Sequence, residues 1–116
     1  MKVLITLNEA PYGSERSYNG LRLAGSLAKQ EGVEVEVFLV GDAAACAKSG
    51  QKVPQGFYNI QNMLTVVTRR GGKVGVCGTC MDARGIGESD LIEGTHRSSL
   101  EEWSAWTAEA DKALVF

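Results

Sequence analysis

Short runs of apolar and β-branched residues alternate along this chain with longer segments in which apolar positions recur every three or four residues. The short runs are typical of buried β-strands, and the longer spacing is typical of helices that pack one face against a core. Five strands are predicted in this way, over Lys2–Leu7, Val33–Val40, Lys73–Cys77, Leu91–Glu93 and Ala113–Phe116.

Helices are predicted in the segments between these strands, and capping residues indicate where three of them begin. Ser14, Asn59 and Ser98 each precede a helical repeat of apolar residues. Ser98 also forms a capping-box pattern with Glu101, three residues later. Two shorter helices are expected, over Ala43–Lys48 and from about Thr79 to Arg84.

Strands and helices therefore alternate, with no repeat, linker or low-complexity segment between them. This alternation predicts an α/β fold with a mostly parallel sheet covered by helices, because parallel strands need crossover connections. Residues 1–116 are expected to form a single domain. Trp103 and Trp106, on the last helix, are expected either to pack in the core or to contact another subunit. The pattern does not predict the order of the strands.

The amino-acid composition and charge exclude some classes of binding partner. The chain has 116 residues, of which 44% are hydrophobic and 22% charged, as in an ordinary globular domain. The net charge is −2 with no basic stripe, so nucleic acid is not expected as a partner. No apolar run has the length of a membrane span, and the N-terminus lacks the features of a signal peptide. We expect a cytoplasmic protein, whose three cysteines are therefore thiols.

The sequence VGVCGTC at residues 74–80 carries the strongest chemical signal. Ligands of open α/β sheets bind beyond the carboxyl ends of the strands, and Cys77 falls at such an end. The start of a helix follows, where partial positive charge lowers the pKa of a thiol. Gly78 would leave space beside the sulfur, and Cys80 would point either back to Cys77 or into the core. Three further residues are candidates for binding an anion or substrate there: Thr79, Arg84 and Asn8.

Other chemistries have weaker support from the sequence. Cys46 is expected to be an inert core residue. The cysteines and His96 could make a zinc site by number alone, but only one CxxC pair is present, so no metal site is predicted. No phosphate-binding loop or dinucleotide fingerprint occurs, so no cofactor is predicted. CGTC resembles a thioredoxin redox motif, but it comes late in the chain and no proline follows it.

The stretch VCGTCMDARGI resembles the DsrE/DsrF-like family, which includes small sulfur-relay proteins related to TusD and DsrE. The opening MKVLITLNEAPYGSERSYNGLRLA and the closing EADKALVF extend the resemblance over nearly the whole chain. The resemblance implies a three-layer sandwich in which helices cover both faces of a five-stranded sheet. It also implies a homo-oligomer, commonly a trimer or hexamer. Cys77 matches the cysteine that carries a persulfide in relay members, and Arg84 belongs to the matching Arg-Gly.

Cys80 matches a second cysteine of CxxCM-containing relatives, which the relay subunits generally lack. The sequence thus favours a sulfur carrier or sulfurtransferase-like protein that binds or relays persulfide sulfur through Cys77. A persulfide donor or acceptor protein would be its partner. Two alternatives stay open. One is a dithiol redox or thiol-sensing protein that cycles Cys77 and Cys80. The other is a non-catalytic module that binds a small anion or metabolite.

Overall fold

A five-stranded, all-parallel sheet runs through the molecule in the computed structural model, which describes residues 1–116. The strands lie in the order β4-β3-β2-β1-β5, so the two ends of the chain meet where β5 joins β1. The α/β class expected from the alternating pattern is confirmed. The strands are β1 Lys2–Leu7, β2 Glu34–Leu39, β3 Lys73–Cys77, β4 Thr95–Ser98 and β5 Lys112–Val115.

Four α-helices and two 3₁₀ segments connect the strands. The predicted cap at Asn59 is confirmed, because its side chain accepts a hydrogen bond from the Asn62 N–H at 3.1 Å. The cap predicted at Ser14 lies one residue too early, since the cap position is Glu15, but the Ser14 hydroxyl does accept a hydrogen bond from the Arg16 N–H at 3.4 Å. No helix is long and apolar enough to cross a bilayer. The helices are α1 Arg16–Leu27, α2 Ile60–Arg69, α3 Gly78–Asp82 and α4 Leu100–Glu109, and the 3₁₀ segments are Gly41–Ala47 and Glu88–Asp90.

The main core lies on one face of the sheet. Alternate residues of the three central strands point to this face, among them Ile5, Val37 and Val76, all without solvent exposure. Helices α1, α2 and α3 and the 3₁₀ segment Gly41–Ala47 cover them, and together these elements form a cluster of 20 buried residues. Burial on this face accounts for the alternate apolar residues of the central strands.

The other face of the sheet is covered by α4 alone. Its buried cluster has only three members, Leu4, Phe38 and Trp106. Trp106 approaches β3 closely at Gly75, where an added Cβ would lie 3.2 Å from the indole. The sheet thus has helices on both faces, but the two layers differ greatly in extent, and Leu100 and Val115 stay 68% and 71% exposed.

The fourth strand was predicted at the wrong place. Leu91–Glu93 contributes only an isolated antiparallel bridge between Leu91 and Lys48. The strand is Thr95–Ser98, which pairs in parallel with Val74–Cys77 at the edge of the sheet. Edge strands tolerate polar, exposed residues, so this segment lacks the apolar signature of a buried strand.

The boundaries of the last elements also differ from the prediction. The residue that caps α4 is Ser99, whose hydroxyl accepts from the Glu102 N–H at 3.2 Å, so the predicted Ser98–Glu101 box is wrong. The final strand lies one residue earlier than Ala113–Phe116. The segment predicted as a helix over Ala43–Lys48 forms the tighter 3₁₀ turns of Gly41–Ala47.

Glu36 is the one charged residue among the buried residues, with 3% exposure. It lies in β2 between Leu4 and Lys73 of the neighbouring strands. One carboxylate oxygen, Oε1, is buried without a hydrogen-bond partner. Burial raises the pKa of this carboxyl, and the charges of Lys2 and Lys73 only partly oppose the effect. The charged form of Glu36 therefore destabilises the folded protein.

We expect Glu36→Gln to raise the free energy of unfolding at neutral pH by about 1 kcal/mol, because it removes a buried charge. Because the folded-state pKa of Glu36 lies above the unfolded value of about 4.3, the contribution of this residue to stability is most favourable below that pH and is lost as pH rises through the folded pKa. Urea unfolding at several pH values measures both effects. Glu34→Gln, at an exposed position of the same strand, is the control. A destabilised Glu36→Gln protein would contradict the prediction.

Candidate functional site

Cys77 is the last residue of β3 and lies at the edge of the sheet where the parallel strands end. Its backbone pairs with Ser98 of β4. The side chain is half-buried and packs against the cluster of Phe38 and Trp106, on the face covered by α4. The thiol therefore points to the thinly covered side of the sheet, at its carboxyl edge, where α/β proteins bind ligands.

A cavity of about 740 Å³ opens at this thiol, between the carboxyl ends of β2 and β3 and the start of α4. Apolar side chains form much of its wall, and both Cys77 and Cys80 reach it. Its size fits a small ligand or the end of a peptide chain. The lining residues are Phe38, Val40, Cys77, Gly78, Thr79, Cys80, Arg97, Ser98, Ser99, Leu100, Glu101 and Trp103.

Trp103 forms the rigid part of this cavity. Its ring stacks on Phe38 with centroids 4.7 Å apart and planes inclined by 4°. Its indole N–H donates to the Thr6 hydroxyl at 3.2 Å, so the polar end of the ring is also satisfied. The two contacts attach α4 to β2 and β1, and they keep the apolar wall in place.

The first turn of α4 is attached to β4 through Glu102. Its carboxylate accepts from the Ser98 hydroxyl at 2.5 Å and contacts His96 Nε2. Burial acts to raise the pKa of Glu102, but the hydrogen bonds from Ser98 and His96 outweigh it and hold the pKa below its usual value. A stable carboxylate at this point positions the helix that forms one side of the cavity.

The thiol of Cys77 is more acidic than an ordinary thiol. Burial alone would raise its pKa. Hydrogen bonds lower the pKa by more than burial raises it, and the donors are the Cys80 thiol, the Thr79 hydroxyl and the backbone N–H groups of both residues. The Thr79 oxygen lies 3.4 Å from the sulfur. Because these donors stabilise the thiolate, Cys77 loses its proton more readily than Cys80 does.

Cys80 has the opposite electrostatic character. Burial and the hydrogen bond that its thiol donates to Cys77 raise its pKa, against smaller lowering effects from the Gly41 N–H and the charge of Arg84. The Gly41 N–H donates to its sulfur at 3.1 Å, and the side chain also packs on the main core. Cys80 thus points both toward Cys77 and toward the core, and it retains its proton after Cys77 has lost one.

Arg84 lies beside Cys80 and not beside Cys77. Its guanidinium donates to the Asp42 carboxylate at 2.7 Å and to the Cys80 carbonyl oxygen at 3.0 Å. It does not line the cavity. Of the residues predicted to surround Cys77, Gly78, Thr79 and Cys80 line the same cavity. Arg84 lies outside this cavity and contacts Cys80.

Asn8 is not brought to Cys77. Its side-chain amide donates to the Phe116 carbonyl oxygen at 3.4 Å, and it lines a separate depression with Arg16 and Val115. β2 lies between β1 and β3, so the ends of the strands that carry Asn8 and Cys77 are not adjacent.

Cys46 is fully buried, and burial raises its pKa to about 12. Its thiol donates to the Glu9 carbonyl oxygen at 3.8 Å, within the main core. No three of the chain's cysteine, histidine and carboxylate side chains converge in a way that could hold a metal ion. The set of cysteines and His96 considered from the sequence therefore has no common centre.

Arg97 is the basic residue of the cavity, and the sequence pattern missed it. It lies in β4, beside the carboxyl end of β3, and its guanidinium packs against Gly78. Both terminal nitrogens donate to the Asp82 carboxylate, at 2.8 and 3.0 Å. The available signal was weak, because a strand over Thr95–Ser98 contains no strongly apolar residue.

The model of the DsrE/DsrF-like family matches residues 1–116 of the chain. This chain belongs to the DsrE/DsrF-like family. Protein YchN of Escherichia coli strain K12 is 45% identical over 116 residues, which cover 99% of this chain and 98% of YchN. The protein MJ0989 of Methanocaldococcus jannaschii, described as uncharacterized, is 39% identical over 116 residues, the full length of both chains.

Solved structures agree with the fold. The crystal structure of the Escherichia coli YchN protein matches with a TM-score of 0.93 at 45% identity, over 99% of this chain and 98% of that one. MTH1491 of Methanobacterium thermoautotrophicum, titled a protein of unknown function, matches with a TM-score of 0.77 at 16% identity, over 99% and 98% of the two chains. The second likeness concerns the fold alone. The family resemblance seen in the sequence is therefore confirmed.

The three thiols should react with iodoacetamide in a fixed order as pH rises, because only a thiolate is alkylated. Cys77 should react at the lowest pH, Cys80 at higher pH, and Cys46 only after unfolding. Tandem mass spectrometry of the peptide over 74–84 separates Cys77 from Cys80. The urea-unfolded chain is the control, in which the three cysteines should react alike. Earlier reaction of Cys80 would show that the assigned direction of the hydrogen bond between the two thiols is wrong.

Proposed function

We propose that this protein carries sulfane sulfur as a persulfide on Cys77, in the cytoplasm, as a sulfurtransferase-like carrier. The observation that carries the proposal is the position of Cys77, an acidified and half-buried thiol that opens into a cavity of about 740 Å³. Membership of the DsrE/DsrF-like family supports it. The donor and acceptor would be small persulfides or partner proteins that present a cysteine to the cavity.

The chemistry required is a displacement at sulfur. The Cys77 thiolate attacks the outer sulfur of a donor persulfide, R–S–SH. A bond forms between the two sulfurs while the bond within the donor breaks, and the donor leaves as its thiolate, RS⁻. Cys77 then holds an S–SH group, which ionises to S–S⁻ on losing its proton. No oxidant or reductant is consumed, and transfer to an acceptor thiolate repeats the same step.

The site has the features that this step needs. Thr79, through its hydroxyl and its N–H, and the backbone N–H of residue 80 donate to a negative sulfur at Cys77. The apolar wall of Phe38 and Trp103 excludes water from one side of the thiol. Desolvation of this kind strengthens the interaction of a charged sulfur with its donors. The open side of the cavity leaves a path for a donor.

A mass experiment tests the proposal. After incubation with a small-molecule persulfide donor, intact mass under non-reducing conditions should show a gain of whole sulfur atoms. Cys77→Ser should abolish the gain, because the nucleophile is lost. Cys46→Ser is the matched control, since its buried thiol cannot reach a donor. If Cys77→Ser accepted sulfur as well as the wild-type protein does, the proposal would be wrong.

The presence of two thiols in the lining of one cavity favours a second candidate, a dithiol redox protein. In that case an external disulfide, R–S–S–R, would be reduced to two thiols while Cys77 and Cys80 lost two hydrogens and formed a disulfide. Redox titration of the wild-type protein against glutathione would reveal a reversible loss of two hydrogens. Cys80→Ser separates the candidates, because the carrier still gains sulfur without Cys80 and the redox protein loses its activity.

We also propose that the chain assembles with copies of itself, as a trimer or hexamer. Support comes from the thin layer over the α4 face. Val115 pairs with Thr6, whose side chain meets Trp103, so Val115 and the α4 residue Leu100 both belong to this face. They are 71% and 68% exposed, and β5 leaves one edge of the sheet unpaired. Exposed apolar groups on one face are typical of subunit contacts.

Size-exclusion chromatography with light scattering should give the mass of a trimer or hexamer. Leu100→Lys and Val115→Lys together should shift the protein toward the monomer, since each buries a charge in the proposed contact. Val66→Lys is the control, because Val66 is an exposed apolar residue of α2 on the other face. A monomeric wild-type protein, or an unchanged mass in the double variant, would contradict the proposed interface.

A further inference from the structure

The guanidinium of Arg97 lies flat against Gly78, the residue that follows Cys77. A Cβ atom added to Gly78 would lie 2.9 Å from each of three guanidinium atoms, Cζ, Nε and Nη2. Real Cβ atoms do not approach other groups so closely, so the arginine can occupy this position only because residue 78 has no side chain. This guanidinium lines the same cavity as Cys77 and comes from β4, from a residue distant in sequence.

Asp82 fixes the orientation of this guanidinium. It accepts two parallel hydrogen bonds, from Nη1 at 2.8 Å and from Nη2 at 3.0 Å. Such a two-point contact sets the plane of the group as well as its position. The Nε–H of Arg97 has no acceptor within the protein, and the residue forms part of the cavity wall. Three of the five N–H groups of this cation, the Nε–H among them, thus have no acceptor in the protein.

The backbone does not require glycine at position 78. Gly78 begins α3 and is absent from the glycines with a positive φ. An alanine could adopt the same backbone conformation, and it favours helices more than glycine does. Steric room for Arg97 is the requirement that remains, because the guanidinium atoms are the nearest neighbours of the missing Cβ.

We propose that Arg97, seated on Gly78 and held by Asp82, is the positioning residue that stabilises negative charge on the sulfur of Cys77. Gly78 serves this arrangement by its lack of a side chain. This inference rests on the proposed function, because a sulfur carrier needs a stable thiolate and then a stable anionic persulfide at Cys77. The pKa of Arg97 is raised chiefly by the hydrogen bond and charge of Asp82, and to a smaller degree by the charges of Glu88 and then of Cys77.

The pH profile of Cys77 alkylation by neutral iodoacetamide tests the proposal without any sulfur transfer. Arg97→Gln should raise the midpoint by about half a pH unit. That shift means about threefold less thiolate at neutral pH. Arg97→Lys should restore part of the shift, because it keeps the charge without the fork that contacts Asp82. An unchanged midpoint in Arg97→Gln would overturn the proposal.

Gly78→Ala tests whether Gly78 acts on Cys77 only by leaving room for the Arg97 guanidinium or has an effect of its own. The variant should raise the midpoint in the same direction as Arg97→Gln, although it removes no charge. In the double variant Gly78→Ala/Arg97→Gln the methyl group should add nothing further, since the guanidinium is already absent. Additive shifts would show that Gly78 acts independently of Arg97, and they would overturn the assigned role of the glycine.

A pair of reagents that differ in charge measures the local field directly. Loss of Arg97 should slow alkylation by anionic iodoacetate more than by neutral iodoacetamide, by about threefold in the ratio of rates. Arg84→Gln is the matched control, because that arginine lies against Cys80 and should shift the Cys80 midpoint more than that of Cys77. An equal effect of Arg97→Gln on both reagents would overturn the proposal.

The two hypotheses can fail separately. If the midpoint shifts as expected but Cys77 accepts no sulfur, the proposed function is wrong while the role of Arg97 in setting the thiolate stands. If Cys77 accepts sulfur and neither the midpoint nor the reagent ratio responds to Arg97, the carrier stands and this inference fails.

Discussion

The packing of Trp103 and Trp106 on Phe38 is the contact on which the site depends. The larger face of the sheet is held by a continuous core, but α4 alone covers the other face. Without the two indoles, this helix would have little apolar area to bury, because Leu100 at its start is exposed. The close approach of Trp106 to Gly75 and the stacking of Trp103 on Phe38 hold α4 against β2 and β3. The cavity at Cys77 exists because α4 is held at one end of the sheet and does not fill it.

The difference in pKa between the two thiols also follows from the layers of the fold. Cys77 ends a strand on the α4 side, whereas Cys80 packs on the main core and receives the Gly41 N–H. One thiol thus gains donors that favour the thiolate, and the other gives its proton to that hydrogen bond. A CxxC pair at the start of a short helix need not be symmetric. Here the asymmetry arises from which face of the sheet each sulfur meets.

The sequence predicted the four strands that carry apolar residues and missed the one that is polar. Lys2–Leu7 and Lys73–Cys77 have the predicted bounds, because their apolar residues pack into a core on at least one face of the sheet. Thr95–Ser98 is polar and lies at the sheet edge, so its place depends on backbone pairing with β3, which no local pattern encodes. Arg97 was missed for this reason, since its nearness to Gly78 follows from that pairing.

Strand order explains the other error at the site. Asn8 and Cys77 both follow strand ends, and that much can be read from the sequence. β2 separates β1 from β3, so the two residues are about 10 Å apart in the sheet at the usual strand spacing. Thr79 and Cys80, by contrast, are close to Cys77 in the chain itself, and local geometry was enough to predict that they share the site.

Family membership leaves the choice between carrier and dithiol open, because related folds support different chemistries. The protonation of Cys80 bears on that choice. A Cys80 thiolate would attack the inner sulfur of a Cys77 persulfide, form the Cys77–Cys80 disulfide and release HS⁻. A thiol that keeps its proton attacks slowly, so the raised pKa of Cys80 would protect the proposed persulfide at neutral pH. Deprotonation of Cys80 at higher pH would favour the Cys77–Cys80 disulfide instead, so the balance between the two proposed chemistries depends on the protonation state of this one thiol.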